Sequence, residues 1–323
     1  LSVADGVGVG MYERISKVTG LPKVLPMNTG AEAVETAIKA ARKWGCQVKG
    51  VADGKQEIIC CENNFHGRTV TIISFSTEED YRAGFGPFTP GFPVIKYGDI
   101  DALEGAINEN TVAFMVEPIQ GEAGIIMPPD GYLKAAAELC KKNNVLLVAD
   151  EIQTGFGRTG KMFCCEHEGV TPDVYIMGKA LGGGIMPVSA IAATEEVMGV
   201  FQPGQHGSTF GGNPLAAAVG VAAIDVLLEE DLAGQSRDKG EYLMGKLRDL
   251  NSPHVKEIRG RGLFVGIDLK PEAGGARRFC EALQELGILA KETHESVIRL
   301  APPLNISREN LDWAMERVAK VLA

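Results

Sequence analysis

The sequence has no CxxC pair, no apolar run of membrane-spanning length and no long block of one charge sign, and each absence removes a class of function. Crossing a bilayer takes roughly 20 apolar residues. The longest apolar stretches here are strand-sized and broken by Gly, Pro or charge, so no membrane partner is expected. The net charge of -10 is spread along the chain, which disfavours nucleic acid or an anionic membrane surface as a partner. The seven cysteines are odd in number and include the adjacent pairs Cys60-Cys61 and Cys164-Cys165. Without paired spacing they imply neither a disulfide framework nor a zinc site, even with His167 close to Cys164 and Cys165. Core thiols in a reducing cytoplasm, with no bound metal, are the expectation. No internal repeat or low-complexity tract is visible. The opening Leu1 to Gly10 lacks a basic segment followed by a cleavage site, so it does not read as a signal peptide. A chain opening on Leu rather than Met reads as part of a longer polypeptide.

What the sequence does have is glycine, 40 residues of it, often in short clusters between apolar runs. That is the habit of an α/β enzyme whose site is built on tight loops at strand ends. Strand-like runs repeatedly pass into glycine-rich or polar loops and then into helical periodicity, the rhythm of a mainly parallel sheet covered by helices. Lys23 to Met27 leads into Asn28-Thr29-Gly30, after which Val34, Ala37, Ile38 and Ala41 share one helical stripe. Val145 to Val148 stops at Ala149-Asp150-Glu151, and Val174 to Met177 stops at Gly178-Lys179. From about residue 231 the pattern changes to a smaller α+β domain, giving a large domain over 1–230 and a small one over 231–323.

In a doubly wound sheet the carboxyl ends of the strands line the ligand crevice, which makes Asp150 and Lys179 candidates for one site. A lysine after a strand is ordinarily an exposed loop residue. Here Gly178 before it and Gly182-Gly183-Gly184 after it leave room for a planar ligand, and a partly desolvated lysine loses its proton and becomes a nucleophile. A carboxylate at the end of a buried strand, such as Asp150, is costly unless it meets a cation. Its bland reading is a helix cap or a structural ion pair. Pyridoxal 5'-phosphate (PLP) would supply the cation, because a carboxylate beside its pyridine nitrogen keeps that nitrogen protonated. Thr29-Gly30-Ala31 at a strand-to-helix turn offers amides and a favourable dipole to a phosphate, although such turns commonly serve only as caps. Ser208 and Thr209, in a glycine-rich loop, are further hydroxyl donors or simply turn formers. Gly155, Gly157 and Gly160 match GxGxxG, but no convincing helix follows, and a lysine stands where a ribose-binding acid is expected. A dinucleotide-dependent dehydrogenase is therefore disfavoured.

The ordered motifs Asn28-Thr29-Gly30-Ala31-Glu32-Ala33, Phe65-His66-Gly67-Arg68-Thr69, Glu117-Pro118-Ile119-Gln120-Gly121-Glu122, Asp150-Glu151-Ile152-Gln153-Thr154-Gly155, Gly178-Lys179-Ala180-Leu181 and Gly207-Ser208-Thr209 together resemble the class III aminotransferases. The resemblance runs from about residue 12 to the C-terminus. It implies the fold-type I architecture of PLP-dependent transferases, PLP itself, and a homodimer with shared active sites. It also implies roles. Lys179 would carry the cofactor and shuttle protons, Asp150 would pair with its ring nitrogen, Gln153 would contact its ring hydroxyl, and Phe65 and Ile152 would flank the ring. Gly30 and Ala31, with Thr29 beside them, would hold the phosphate from one subunit, and Ser208 and Thr209 from the other.

Gly84-Phe85-Gly86-Pro87-Phe88, Lys291-Glu292-Thr293-His294 and Ile298-Arg299-Leu300-Ala301-Pro302-Pro303-Leu304 are similar to the branch that acts on ornithine rather than on acetylornithine. The implied reaction passes the δ-amine of ornithine to 2-oxoglutarate, with Arg68 and Arg299 clamping carboxylates and Glu122 masking Arg299 while ornithine reacts. The family also carries further N-terminal residues, among them substrate-binding tyrosines. The alternatives are an acetylornithine or 4-aminobutyrate aminotransferase and, outside enzymes, a PLP-binding regulatory module. The last is disfavoured by the lack of a basic DNA-binding helix pair.

Overall fold

A computed structural model describes residues 6–323. Residues 1–5, half of the opening stretch considered above for a signal peptide, lie outside the described residues. The chain divides into two compact units. One comprises the chain up to Pro118 with Pro128–Gln153 and Cys165–Val226, and the other Ile119–Met127, Thr154–Cys164 and Leu227–Ala323. A boundary drawn along the sequence does not express this, because two short inner segments pack with the C-terminal part.

The first unit holds a seven-stranded sheet. Its strands are β1 (Lys23–Met27), β2 (Glu57–Cys61), β3 (Val94–Ile95), β4 (Thr111–Val116), β5 (Leu146–Asp150), β6 (Val174–Met177) and β7 (Ser189–Ala193), in the order β1-β7-β6-β5-β4-β2-β3. β3, β2, β4, β5 and β6 are mutually parallel, while β7 runs antiparallel to both β6 and β1. Every residue of β4, β5, β6 and β7 is buried, the signature of strands covered on both faces. Helix Gly30–Trp44 covers part of one face, burying Val34, Ala37, Ile38, Ala41 and Trp44 in a cluster with Ile58, Val112, Leu146, Val174 and Ile191. Cys60 and Cys61, adjacent on β2, are both buried because both faces of that strand are covered, and burial pushes the Cys61 thiol up to about 12.

The second unit is an antiparallel sheet, β10-β11-β9-β8, with β8 at Val255–Arg261, β9 at Phe264–Leu269, β10 at Lys291–Thr293 and β11 at Val297–Leu300. Its core joins Val265, Ile267 and Ile298 from the sheet to Leu243 and Leu247, Phe279 and Leu283, and Leu311 and Met315 from three helices. Among the described residues no helix is long and apolar enough to cross a membrane.

Candidate active site

In the first unit, β5 and β6 are parallel neighbours with Asp150 opposite Ile176, so the two strands end together at Asp150 and at Gly178-Lys179. Asp150 is only 4% exposed. Its Oδ1 accepts the Ile152 amide at 3.1 Å, and its Oδ2 lies 2.7 Å from His66 Nδ1. Burial alone would push the His66 imidazole down, but the hydrogen bond and charge of Asp150, with help from Glu117, hold it above its ordinary value. The other ring nitrogen, Nε2, is buried with no hydrogen-bond partner. His66 was inside a motif noted in the sequence but carried no assigned role. Nothing in the local pattern links it to a carboxylate 84 residues away, since only the sheet order brings the loop after β2 to the end of β5.

The Thr29 turn is a capping box. Thr29 Oγ1 accepts the Glu32 amide at 3.3 Å, and Glu32 Oε2 accepts the amides of Thr29 at 2.8 Å and Asn28 at 3.1 Å. Thr29 thus spends both its hydroxyl and its amide on starting the helix. The first-turn amides of Gly30 and Ala31 have no intrahelical acceptor and stay available to an anion. Ser189 Oγ donates to Thr29 O at 2.7 Å, tying this turn to β7. A Cβ on Gly30 would come within 3.0 Å of Ile152 Cδ1, one on Gly178 within 3.5 Å of Ile152 Cγ1, and one on Gly67 within 3.1 Å of Ala31 Cβ. The phosphate-type turn, the loop after β2, Ile152 and the approach to Lys179 therefore converge, and glycine keeps the space between them open.

Lys179 adopts φ 41°, the left-handed region that a non-glycine residue enters at a cost of about 1–3 kcal/mol and that clusters at functional sites. Its side chain is exposed rather than desolvated as the sequence suggested. Phe65 and Gln153 are half-buried. The Phe65 amide donates to Glu117 Oε2 at 3.0 Å, and Arg68 lies over the Tyr81 ring at 4.5 Å. Ser208 Oγ accepts from Asn28 Nδ2 of its own chain at 2.8 Å, while Thr209 is exposed.

The second unit assembles a different group. The segment Ile119–Met127 is docked by Arg259, whose Nε donates to Gly124 O at 3.0 Å and whose Nη1 pairs with Asp268 at 2.9 Å. This places Glu122 against β10 and β11. Arg299 Nη1 donates to Glu122 Oε1 at 2.7 Å and Lys291 Nζ to Glu122 Oε2 at 2.7 Å. Burial raises the Glu122 carboxyl, but the two cations overcome it and hold it at about 2. Gly157 and Gly160, the glycines of the GxGxxG match, are used for packing. A Cβ on Gly160 would meet Arg237 Cβ at 2.9 Å, and one on Gly157 the Ala233 backbone at 3.3 Å.

The model of the family "Aminotransferase class-III" matches residues 8–322. This chain belongs to the class III aminotransferases. It is 64% identical over 311 residues to an ornithine aminotransferase of Brevibacillus brevis and 59% identical over 311 residues to that of Bacillus subtilis, in each case 96% of this chain and 77% of the relative. Among solved structures, the ornithine aminotransferase of Toxoplasma gondii, described with partial occupancy of PLP at its active site, superposes with a TM-score of 0.97 at 45% identity over 99% of this chain and 77% of that one. An acetylornithine aminotransferase of Elizabethkingia anophelis gives 0.88 at 45% identity over 99% of this chain and 79% of that one.

As a class III aminotransferase the protein is an α/β enzyme of the PLP-dependent transferase fold and uses PLP. The first unit fits that cofactor. A buried carboxylate, held by His66 Nδ1 at 2.7 Å, is offered to a ring cation, and the glycine-lined space beside Ile152 admits a planar ring.

Proposed function

We propose that this class III aminotransferase passes the δ-amino group of ornithine to 2-oxoglutarate, forming glutamate and glutamate 5-semialdehyde, which closes to pyrroline-5-carboxylate. The observation that carries the reading is the Glu122–Arg299 pair at 2.7 Å. One enzyme has to accept ornithine by an amine far from its carboxylate and then an oxo acid with carboxylates at both ends. An arginine that is masked by a carboxylate in one half-reaction and bared in the other meets both demands. The ornithine aminotransferases named above, at 59 and 64% identity, support the same substrate.

PLP supplies the electron sink for the carbanion formed when a proton leaves the substrate carbon. The Asp150 carboxylate would hold a proton at the ring nitrogen, and His66 holds Asp150 in place. Ile152 and Phe65 would flank the ring, and Gln153 would meet its hydroxyl. The Gly30 and Ala31 amides, in the helix turn that the Thr29–Glu32 capping box starts, would take the phosphate. The Lys179 amine would hold the cofactor between turnovers and, when released from it, would serve as the base that carries the substrate proton. Arg68 and Arg299 receive carboxylates.

The functional unit is a homodimer in which Ser208 and Thr209 complete the phosphate site of the neighbouring subunit. Phe210 and Leu215, 70 and 62% exposed beside those residues, suit such a contact. None of the seven cysteines, all among the described residues, is in a disulfide, which suits a reducing cytoplasm. The deciding measurement is an amino-donor screen on the PLP-loaded full-length protein with 2-oxoglutarate as acceptor. Ornithine is expected to exceed N-acetylornithine and 4-aminobutyrate in kcat/KM by at least tenfold, and a preference for either of the others would overturn the assignment.

A further inference from the structure

The stretch Lys291-Glu292-Thr293-His294 sets the sequence nearer the ornithine-acting branch, yet the mechanism above gives it no task. In the second unit two of its side chains act on one residue. Lys291 Nζ donates to Glu122 Oε2 at 2.7 Å, and the Thr293 hydroxyl donates to the Glu122 carbonyl. Lys291 lies directly opposite Arg299 in the β10–β11 pairing, so both cations project from one face of the sheet. Each takes a different oxygen of the same carboxylate. Their surroundings differ, since the Lys291 side chain is 57% exposed whereas Arg299 and Glu122 are 17 and 20% exposed.

We propose that Lys291 is a specificity-determining positioning residue: it is the second holder of Glu122, and it sets how readily Arg299 is released to a dicarboxylate. The inference rests on the masking of Arg299 by Glu122. When an oxo acid takes Arg299, a largely buried carboxylate loses a cation, and such a group is costly without another. Lys291 already occupies the second oxygen and keeps Glu122 compensated. Thr293 meanwhile fixes the backbone from which the carboxylate moves. With Lys291 gone, Arg299 carries the neutralisation of Glu122, and the pair resists opening. Lys291 touches neither substrate. It acts through Glu122, in the sense opposite to loss of Glu122 itself, which removes the carboxylate that masks Arg299.

The test uses the PLP-loaded full-length enzyme as wild type, Lys291→Met, Lys291→Arg, Glu122→Ala and the Glu122→Ala/Lys291→Met double variant. Half-reactions with ornithine and with 2-oxoglutarate are followed by stopped flow, and binding of glutarate, an unreactive dicarboxylate, by calorimetry. Lys291→Met is expected to raise KM for 2-oxoglutarate and Kd for glutarate roughly fivefold, the scale of one partly exposed ion pair. The ornithine half-reaction should keep its kcat, and Lys291→Arg should restore dicarboxylate affinity. In the Glu122→Ala background the Lys291 substitution should have no further effect. If Glu122→Ala tightens glutarate while Lys291→Met changes nothing, or if the Lys291 effect persists without Glu122, the role given to Lys291 is wrong and the masking of Arg299 stands. If Glu122→Ala itself leaves the balance between ornithine and dicarboxylate unchanged, both fall together.

Discussion

Lys179 holds a backbone conformation that its side chain does not favour, at the end of the strand next to the one that ends in Asp150. A strained residue persists where its surroundings over-determine it, and here the extended Gly178 before it and Gly183 in the left-handed region after it frame the lysine. Borohydride treatment of the yellow holoprotein, followed by peptide mapping, is expected to place the pyridoxyl group on Lys179, and label on another lysine would refute the role. Replacing it by Ala should lower transamination by at least about 100-fold, the low end for loss of a general acid–base group. His66 gives a second expectation, for the cofactor-free protein. Its folded pKa is raised by Asp150, so the pairing stabilises the fold fully below the unfolded value near 6.5 and fades as pH rises through the folded one. Melting curves of wild type and His66→Phe should therefore differ most near pH 6 and draw closer as the pH rises. A gap independent of pH would mean that His66 contributes by packing alone.

At the level of elements, the second unit depends on a near contact of backbones. Gly240, inside helix Leu232–Asp249, has Gly262 so close that a Cβ would lie 2.1 Å from its carbonyl oxygen, and Gly262 itself is at φ 56° in the β8–β9 turn. Here backbone meets backbone, so no side chain is available to yield. Gly240→Ala is expected to cost about 3 kcal/mol or more, beyond the usual range for overpacking, and to lower the melting temperature of the second unit by calorimetry. A shift within error would show that the helix moves away freely. The same reasoning explains the GxGxxG match, where Gly157 and Gly160 admit this helix through Ala233 and Arg237 instead of admitting a pyrophosphate. Glycine spacing read along the chain is alike in the two cases, and only the object placed against the glycine differs. By contrast, the capping box at Thr29 lies within four residues of sequence, and Thr29→Ala should cost about 1 kcal/mol.

For the whole molecule, the proposed dimer predicts that Phe210→Asp, in the loop of Ser208 and Thr209, weakens association and PLP affinity together. Sedimentation at micromolar and nanomolar concentration, with a parallel PLP titration, checks this, and a monomer that keeps full affinity would refute the shared site. Much of the first unit was legible because its information is local. Buried parallel strands are continuous apolar runs, so Leu146–Asp150 and Val174–Met177, and with them the positions of Asp150 and Lys179, were readable as strand ends. The sequence by itself also determined the family, since ordered motifs survive any uncertainty about packing. What only the tertiary structure decided are the meetings of residues far apart in the chain. His66 reaches Asp150 across the sheet order, the segment 119–127 leaves β4 to join the C-terminal unit, and Lys291 and Arg299 share Glu122 because β10 and β11 pair in a register that sets the two cations opposite one another. Such contacts depend on strand order and register, which are settled by packing across the whole core and leave no periodicity in the sequence.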